Sequence, residues 1–163
     1  MNISISPIGY IKSNFDNSSQ AARQPAIDGS RGVLILNERF VEGLDGLAEF
    51  SHIIAIYHFH LQQTVSLRAK PCFDPTTDHG IFASRYPTRP NHIGISILTL
   101  DRIIANRVYC SDIDVINNTP LLDIKPYVKQ FDRMDDPKSG WYDEIDWAAQ
   151  KLANKSKTYC EES

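Results

Sequence analysis

Hydrophobic and polar positions alternate along most of the chain in short runs, a pattern typical of β-strands. Residues 51–60 (SHIIAIYHFH) carry β-branched and aromatic side chains on both faces, which predicts a central strand or a barrel wall. Residues 93–100 and 103–109 form a predicted antiparallel pair. Shorter strands are predicted at residues 3–11, 32–36, 80–84, 113–116 and 121–124.

Helical spacing appears in two places. Residues 40–50 repeat apolar side chains at helical intervals, but Gly43 and Gly46 limit the prediction to one or two turns. Residues 143–153 place Ile145, Ala148 and Leu152 on one face, which predicts an amphipathic C-terminal helix. Many short strands with few helices predict a mostly β fold, in which an antiparallel sheet curls into a barrel.

Length and composition predict one domain. The chain has 163 residues, of which 42% are hydrophobic and 23% charged, as in ordinary globular proteins. We expect a body over about residues 3–128 and an acidic, helical extension over residues 129–163. The first residues lack the pattern of a signal peptide and no run approaches the length of a membrane span, so we expect a cytoplasmic protein without a membrane partner.

The three cysteines are predicted to be reduced thiols. Their number is odd, their spacing is wide and no CxxC pair occurs, which argues against disulfides and against a structural zinc site. They are Cys72, Cys110 and Cys160.

Charge alone does not identify a partner. The net charge is -3, whereas nucleic-acid-binding proteins usually carry an excess of Lys and Arg. Basic residues are concentrated over residues 68–89, however, and acidic residues over residues 132–146. This distribution suits either a positive face that attracts phosphates or two ordinary mixed surfaces. The basic residues of the first stretch are Arg68, Lys70, Arg85 and Arg89.

The most distinctive motif is SRYPTRPN at residues 84–91, where two arginines flank a proline. Because proline fixes φ, this turn can hold the guanidinium groups of Arg85 and Arg89 in place before a ligand arrives, which suits a carboxylate or another anion. The alternative is a rigid surface turn whose arginines pair with acidic side chains.

A second motif, NNTPLLDIKPYV at residues 117–128, joins a turn to a strand. Asparagine tolerates positive φ, so a tight turn next to a ligand is reasonable. Asp123 and Lys125 lie two apart on the strand and so share a face, where an ion pair is also a purely structural possibility.

A metal site is the alternative chemistry. His58 and His60 lie on one strand face, with Cα atoms about 6.6 Å apart at ~3.3 Å per residue. His52 lies too far along the same strand, so the third ligand of a zinc site would come from elsewhere in the chain, with His79 and Asp78 as candidates. Residues 14–31 form a long polar loop of the kind that tends to be functional.

Taken together, these motifs resemble one family, the tRNA threonylcarbamoyladenosine N6-methyltransferases, of which this chain looks like a short, single-domain member. The resemblance follows the order of the family over most of the chain. It is carried by PIGYIKS (7–13), RQP (23–25), EGLDGLAEFSHIIAIYHFH (42–60), TVSLRAKP (64–71), GIFASRYPTRPNHIGIS (80–96) and IDVINNTPLLDIKPY (113–127).

The resemblance implies a single-sheet antiparallel β-barrel that binds S-adenosylmethionine between the barrel and its neighbour in a homodimer. We expect no metal ligands. Carried over by position, the residues expected to bind the cofactor are Arg23, Gln24, Pro25, Phe59, His60, Arg85, Ile95, Asp114, Val115, Ile116, Asn117 and Thr119.

The resemblance also implies methylation at N6 of threonylcarbamoyladenosine beside the anticodon of tRNA. This nitrogen is a weak nucleophile, so a base or a polarising group is useful, and His60, Asp123 and Tyr127 are the candidates. Residues expected to hold phosphates or the threonyl carboxylate are Arg68, Lys70, Arg89 and Lys125.

Two motifs depart from the usual family pattern. His92 stands where the family usually has the second proline of RPNPIG, and Asn117-Asn118 stands where it usually has the Asp-Gly of DGTP. These departures leave as an alternative an S-adenosylmethionine-binding protein of the same fold with another acceptor or without catalysis. A His-ligated metalloenzyme, based on His58 and His60, is the other alternative.

Overall fold

A computed structural model describes residues 3–16 and 30–149, and strands dominate them. The eight strands of the described part are β1 Gly9–Lys12, β2 Arg31–Leu36, β3 His52–His58, β4 Arg68–Ala69, β5 His79–Gly80, β6 Ile93–Ile104, β7 Arg107–Ser111 and β8 Thr119–Pro126. Short 3-10 helices lie at Glu38–Leu44, Leu47–Glu49, Ile81–Ala83 and Gly140–Glu144, and a one-turn α-helix, α1, at Lys129–Asp132.

Six strands close into one antiparallel barrel in the order β1-β2-β7-β6-β3-β8, with β1 pairing β8 to complete the ring. The remaining pair, β4 and β5, forms a separate two-stranded sheet. The predicted single-sheet antiparallel barrel is therefore confirmed. The predicted pairing of the strands at residues 93–109 is confirmed as well, since β6 pairs β7.

The barrel interior follows from strict alternation along the strands. In β3, Ile53, Ala55 and Tyr57 point inward and are nearly inaccessible, while their neighbours face out. Burial of each large apolar side chain stabilises the fold by about 1.5–3 kcal/mol. The fully buried side chains that fill the barrel include Ile11, Leu34, Ile53, Leu98, Val108 and Leu121.

Two predicted strands are absent. Residues 81–83 form a 3-10 helix after the short β5, closed by the hydrogen bond that the Ser84 amide donates to the Ile81 carbonyl at 3.2 Å. Residues 113–116 form a loop, because positive φ angles at Asp112 and Asn118 end extended pairing on both sides. Both segments are short apolar runs, for which periodicity alone does not distinguish a strand from a buried loop.

Other predicted boundaries also shift. Residues 3–8 lie outside the strand predicted for residues 3–11, since β1 begins at Gly9. The strand predicted to end at residue 100 continues as β6 to Ile104, past a bulge between Leu100 and Arg102. Its turn to β7 places Ala105 at φ 51°.

The segment after the barrel packs on the loop that contains β5. The Trp141 ring stacks on His79 at 4.3 Å, and Trp141 Nε1 donates to the Ala83 carbonyl at 2.8 Å. The helix predicted to begin at residue 143 instead begins at residue 147, because the Asp146 carboxylate accepts the amide protons of Ala148 and Ala149 as an N-cap. Residues 150–153 of that prediction lie outside the described residues. The division into body and extension stays a prediction.

Within residues 3–16 and 30–149, no helix combines the length and the apolar character needed to cross a membrane.

Candidate functional site

The candidate site lies at the end of the barrel where β3 finishes and β6 begins. Antiparallel pairing brings Tyr57 of β3 opposite Gly94 of β6. The loop over residues 112–118 crosses this same end, because it connects the last residue of β7 to the first residue of β8. Sequence segments that are far apart therefore meet here.

A chain of hydrogen bonds ties the loop to the barrel interior. Tyr57 Oη lies 3.0 Å from Ser96 Oγ, and Ser96 Oγ donates to Asp114 Oδ1 at 2.8 Å. Because the only hydroxyl proton of Ser96 goes to the carboxylate, the Tyr57 hydroxyl donates to Ser96. Tyr57 and Ser96 are 4% and 3% exposed, so both positions are rigid.

Burial controls the acidity of two residues in this hydrogen-bonded series, Asp114 and Tyr57. It raises the pKa of Asp114 to about 6, against the hydrogen bond from Ser96 and the positive charge of Arg85. Burial also raises the pKa of Tyr57, with the negative charge of Asp114 as a second cause. Asp114 therefore titrates close to neutral pH, whereas Tyr57 stays protonated. Such perturbed groups are typical of functional sites.

Arg85 provides the positive charge at this end. Its charge opposes the upward pKa shifts of both Tyr57 and Asp114, which places it within electrostatic reach of the chain. The side chain is exposed, and so it is accessible to a ligand. Arg85 lies directly after Ser84, whose Oγ donates to the Ile81 carbonyl at 3.1 Å and fixes the preceding turn.

Arg89, predicted to hold substrate, braces this turn instead. Its Nη1 donates to the carbonyls of Ile81 and Ser84 at 3.0 and 2.7 Å. Thr88 beside it has a buried hydroxyl without a hydrogen-bond partner among the described residues. The predicted preorganised turn is thus present, but only Arg85 of its two arginines is exposed.

His60 and Phe59 line the end of β3. Thr119 Oγ1 lies 3.4 Å from His60 Nδ1. Burial, with the charge of His58 as a smaller cause, lowers the pKa of His60, so its ring is neutral at pH 7. The Phe59 ring meets Tyr57 edge to face at 5.5 Å.

The residues of the loop over 112–118 differ in accessibility. Val115 is buried, so its side chain anchors the loop, while Asp114, Ile116 and Asn117 are partly accessible. Ser13, directly after β1, holds this loop through two hydrogen bonds. Its Oγ donates to the Val115 carbonyl at 2.6 Å, and its backbone N donates to Asn117 Oδ1 at 3.3 Å.

The other two predicted bases make no contact with this cluster, since Asp123 faces outward and Tyr127 lies at the other end of β3. Asp123 forms an ion pair with Lys125 at 2.8 Å on the outer wall, opposite Ile56. The Tyr127 ring lies 6.3 Å from His52, at the first residue of β3. The two ends of β3 are about 20 Å apart at ~3.3 Å per residue. Of the three candidates, only His60 lies in the cluster.

The remaining predicted residues vary in position. Arg68 pairs with Asp78 at 2.8 Å, Lys70 is exposed, and Ile95 is 50% exposed on the outer wall. His79 pairs with Asp74 at 2.9 Å. Within the described ranges, no group of three His, Cys, Asp or Glu residues is placed to hold a metal ion. Arg23, Gln24 and Pro25, which are predicted to bind the cofactor, lie outside the described residues.

Sequence reasoning missed four residues of the site. Tyr57, Ser96 and Gly94 fall in predicted strands and Ser13 in the first of the family segments, but none of them is among the predicted site residues. A Cβ on Gly94 would lie 2.3 Å from the Tyr57 ring and 2.8 Å from the Phe59 ring, so only glycine fits. The inward position of Tyr57 in the alternating strand was the available signal.

The sequence profile of the tRNA-methyltransferase O N-terminal domain matches residues 10–133. The chain belongs to this family. The matched range includes the barrel except for Gly9 and the whole of the cluster at its end, from Ser13 to Thr119.

Solved structures of the family share the fold. TrmO from Pseudomonas aeruginosa is 38% identical with a TM-score of 0.71, covering 86% of this chain and 62% of that chain. A second TrmO crystal structure is 40% identical with a TM-score of 0.73, covering 86% and 64%. The chain therefore spans less than two thirds of these TrmO structures.

Relatives in other organisms carry two kinds of name. A Pyrococcus abyssi protein named as a probable S-adenosyl-L-methionine-binding protein is 43% identical over 139 residues, 83% of this chain and 73% of the relative. The human tRNA (adenine(37)-N6)-methyltransferase is 36% identical over 138 residues, 80% of this chain but 31% of the human protein.

Proposed function

We propose that this protein is an S-adenosylmethionine-dependent methyltransferase that modifies N6 of threonylcarbamoyladenosine beside the anticodon of tRNA. The observation that carries the proposal is the convergence of Arg85, Asp114, His60 and Thr119 at one end of a barrel that belongs to the tRNA-methyltransferase O family. A reaction on tRNA implies a cytoplasmic location, which belongs to the same proposal.

The residues at this end suit the cofactor. The exposed guanidinium of Arg85 suits a carboxylate. Phe59 provides an apolar wall for adenine or for the methionine stem. Asp114 and Asn117 add polar groups on a loop that the barrel holds in place. When bound, S-adenosylmethionine supplies a methyl group on a sulfonium, which is a strong electrophile.

The main task of the chain is then to position the acceptor nitrogen. The fixed chain of Tyr57, Ser96 and Asp114 prevents the loop from drifting, and such positioning alone accelerates transfer substantially. His60 is neutral at pH 7, so its ring can take up a proton from the acceptor side. Asp114 has a pKa of about 6, which makes it a second group able to exchange a proton near neutral pH.

The proposed homodimer is supported by an exposed apolar surface, which we call the isoleucine face. It comprises Ile93, Ile95 and Ile97 of β6, which are 37%, 50% and 45% exposed, and Ile54 and Ile56 beside them on β3. A second copy of the chain would cover this face through a two-fold axis. Ile95 lies in its centre, so the partner would approach the predicted cofactor residues.

A direct test of the dimer is Ile97→Lys, with Ile104→Lys as the matched control. Both isoleucines lie on β6 and are similarly exposed, at 45% and 53%, but Ile104 is outside the isoleucine face. Light scattering coupled to size exclusion should report a dimer for the control and a monomer for Ile97→Lys. A dimer in both variants would exclude this face as the interface.

The activity is tested with radiolabelled S-adenosylmethionine and two tRNA preparations, one bearing threonylcarbamoyladenosine and one lacking it. Label should enter the modified tRNA only, and nucleoside analysis should find the methyl group on N6. Cofactor binding without transfer to either tRNA would favour the second candidate, a binding protein, which the name of the Pyrococcus abyssi relative suggests. Failure to bind the cofactor would refute both candidates.

A further inference from the structure

A cavity of about 560 Å³ opens on the outer wall of the barrel, away from the isoleucine face. Its lining includes Lys12, Arg31, Arg102 and Tyr109, which belong to β1, β2, β6 and β7. In the closed ring, β2 and β7 lie opposite β3 and β8. The cavity is therefore on another sector of the wall than the proposed dimer contact.

Strand register places the lining side chains in one row. Lys12 pairs with Val33, Val33 with Tyr109, and Tyr109 with Arg102, so these residues lie side by side across four strands. At ~4.8 Å between strands, the row spans about 14 Å from Lys12 to Arg102. Arg31 lies two positions before Val33, on the same face.

The cations of this surface, which we call the basic face, are exposed and available. They are Lys12, Arg31, Arg102 and Arg107. The ion pairs found among the described residues involve other cations. Arg102 is held over the Tyr109 ring at 4.1 Å, which limits the freedom that it would lose on binding an anion.

One carboxylate occurs among the described residues that line the cavity, that of Asp101, and it accepts hydrogen bonds from Ser111 at 2.9 and 3.1 Å. The basic stretch noted in the sequence is less available, because Arg68 pairs with Asp78 and Arg89 bonds backbone carbonyls. In a chain of net charge -3, the basic face therefore concentrates positive charge at one place.

The basic face adjoins the candidate site through one residue. Ser13 lines the cavity, and it also donates to the Val115 carbonyl and to Asn117 Oδ1 of the loop at the barrel end. A polyanion lying along the row of cations would thus pass directly behind the residues predicted to bind the cofactor.

We infer that the basic face binds the phosphodiester backbone of the RNA that carries the target adenosine. This inference rests on the proposed function. Spaced cations across a row of about 14 Å suit a chain of phosphates better than a single ion. The contact reads no sequence, so it positions the RNA while the barrel end selects the base.

The test compares Lys12→Ala/Arg102→Ala with the control Arg133→Ala/Lys138→Ala, which removes the same charge from exposed positions after the barrel. The Kd for tRNA is measured as a function of salt, with and without the threonylcarbamoyl group, beside the Kd for S-adenosylmethionine. The first variant should bind both tRNAs about tenfold or more weakly, and its salt slope should fall by about 1.4 to 1.8. Its cofactor affinity should not change.

The outcomes separate the two proposals. An unchanged salt slope, or an equal loss of tRNA affinity in the control, would refute RNA binding by the basic face even if the wild-type protein methylates tRNA. If the wild-type protein transfers no methyl group while the variant still loses RNA binding, the proposed function fails and the basic face stands. Arg102→Lys keeps the charge and should retain the salt slope.

Discussion

Replacing Asp114 with asparagine should stabilise the fold at neutral pH while it impairs cofactor binding. Burial raises the pKa of Asp114 from 3.8 to about 6, although Ser96 and Arg85 oppose the shift. The folded protein therefore holds this proton more strongly than the unfolded chain, and ionisation costs folding free energy. The difference between the two values corresponds to about 3 kcal/mol at about 1.36 kcal/mol for each pKa unit.

The pH window of this effect follows from the same values. The favourable contribution of Asp114 is complete below about pH 4 and is lost as the pH rises through about 6. Asparagine keeps an oxygen that accepts the Ser96 proton but carries no charge to desolvate. Asp114→Asn should therefore raise the free energy of unfolding above pH 6 by up to about 3 kcal/mol and leave it nearly unchanged at pH 4.

Urea unfolding of both proteins at pH 4.5, 5.5, 6.5 and 7.5 measures the prediction, and calorimetric titration with S-adenosylmethionine measures the functional loss. Asp112→Asn is the control, because Asp112 lies on the same loop but accepts from Thr99 at 2.7 Å. It should keep its cofactor affinity. A wild-type protein that gains stability between pH 4.5 and 7.5 relative to Asp114→Asn would refute the reasoning.

Three further perturbations test other contacts. Gly94→Ala should destabilise the protein by about 1–3 kcal/mol in thermal unfolding and weaken cofactor binding, because the added Cβ would lie 2.3 Å from the Tyr57 ring. Unchanged thermal unfolding would contradict this close packing. Trp141→Phe removes the 2.8 Å hydrogen bond to Ala83 and should cost about 1 kcal/mol or less, with faster proteolysis after the barrel as the readout. The hydrogen bond from His79 is the largest cause that lowers the pKa of Asp74 to about 2, so stability from this pair should persist above pH 4 and vanish towards pH 2. His79→Ala should weaken that dependence in acid unfolding, and an unchanged dependence would contradict the role of His79.

The two proposed surfaces, the isoleucine face for a second copy of the chain and the basic face for RNA, lie on different sectors of the barrel wall. The isoleucine face lies on β3 and on the first half of β6, and the basic face lies on β1, β2, β7 and the second half of β6. Ser13 and Ser96 are the links, since each bonds the loop over residues 112–118 from a different strand. Both serines are buried, at 7% and 3% exposure.

Several elements of the fold were predictable from local patterns. The alternation of inward and outward side chains along β3 and β6 is set by the geometry of a strand, so it could be read directly from the order of residues. The prolines around Arg85 indicated a fixed turn for the same reason, because their effect on φ is local. Runs that lacked a clear period, at residues 81–83 and 113–116, were predicted wrongly as strands.

The sequence by itself determined the barrel class, the family and the segments that meet at the site, since each depends on neighbouring residues or on motifs in order. Only the tertiary structure decided which side chains are available. Arg68 forms an ion pair with Asp78, and Arg89 donates to backbone carbonyls. Tyr127 lies at the far end of β3. Strand register and barrel closure alone bring distant residues together, and they created the basic face and the chain from Tyr57 to Asp114.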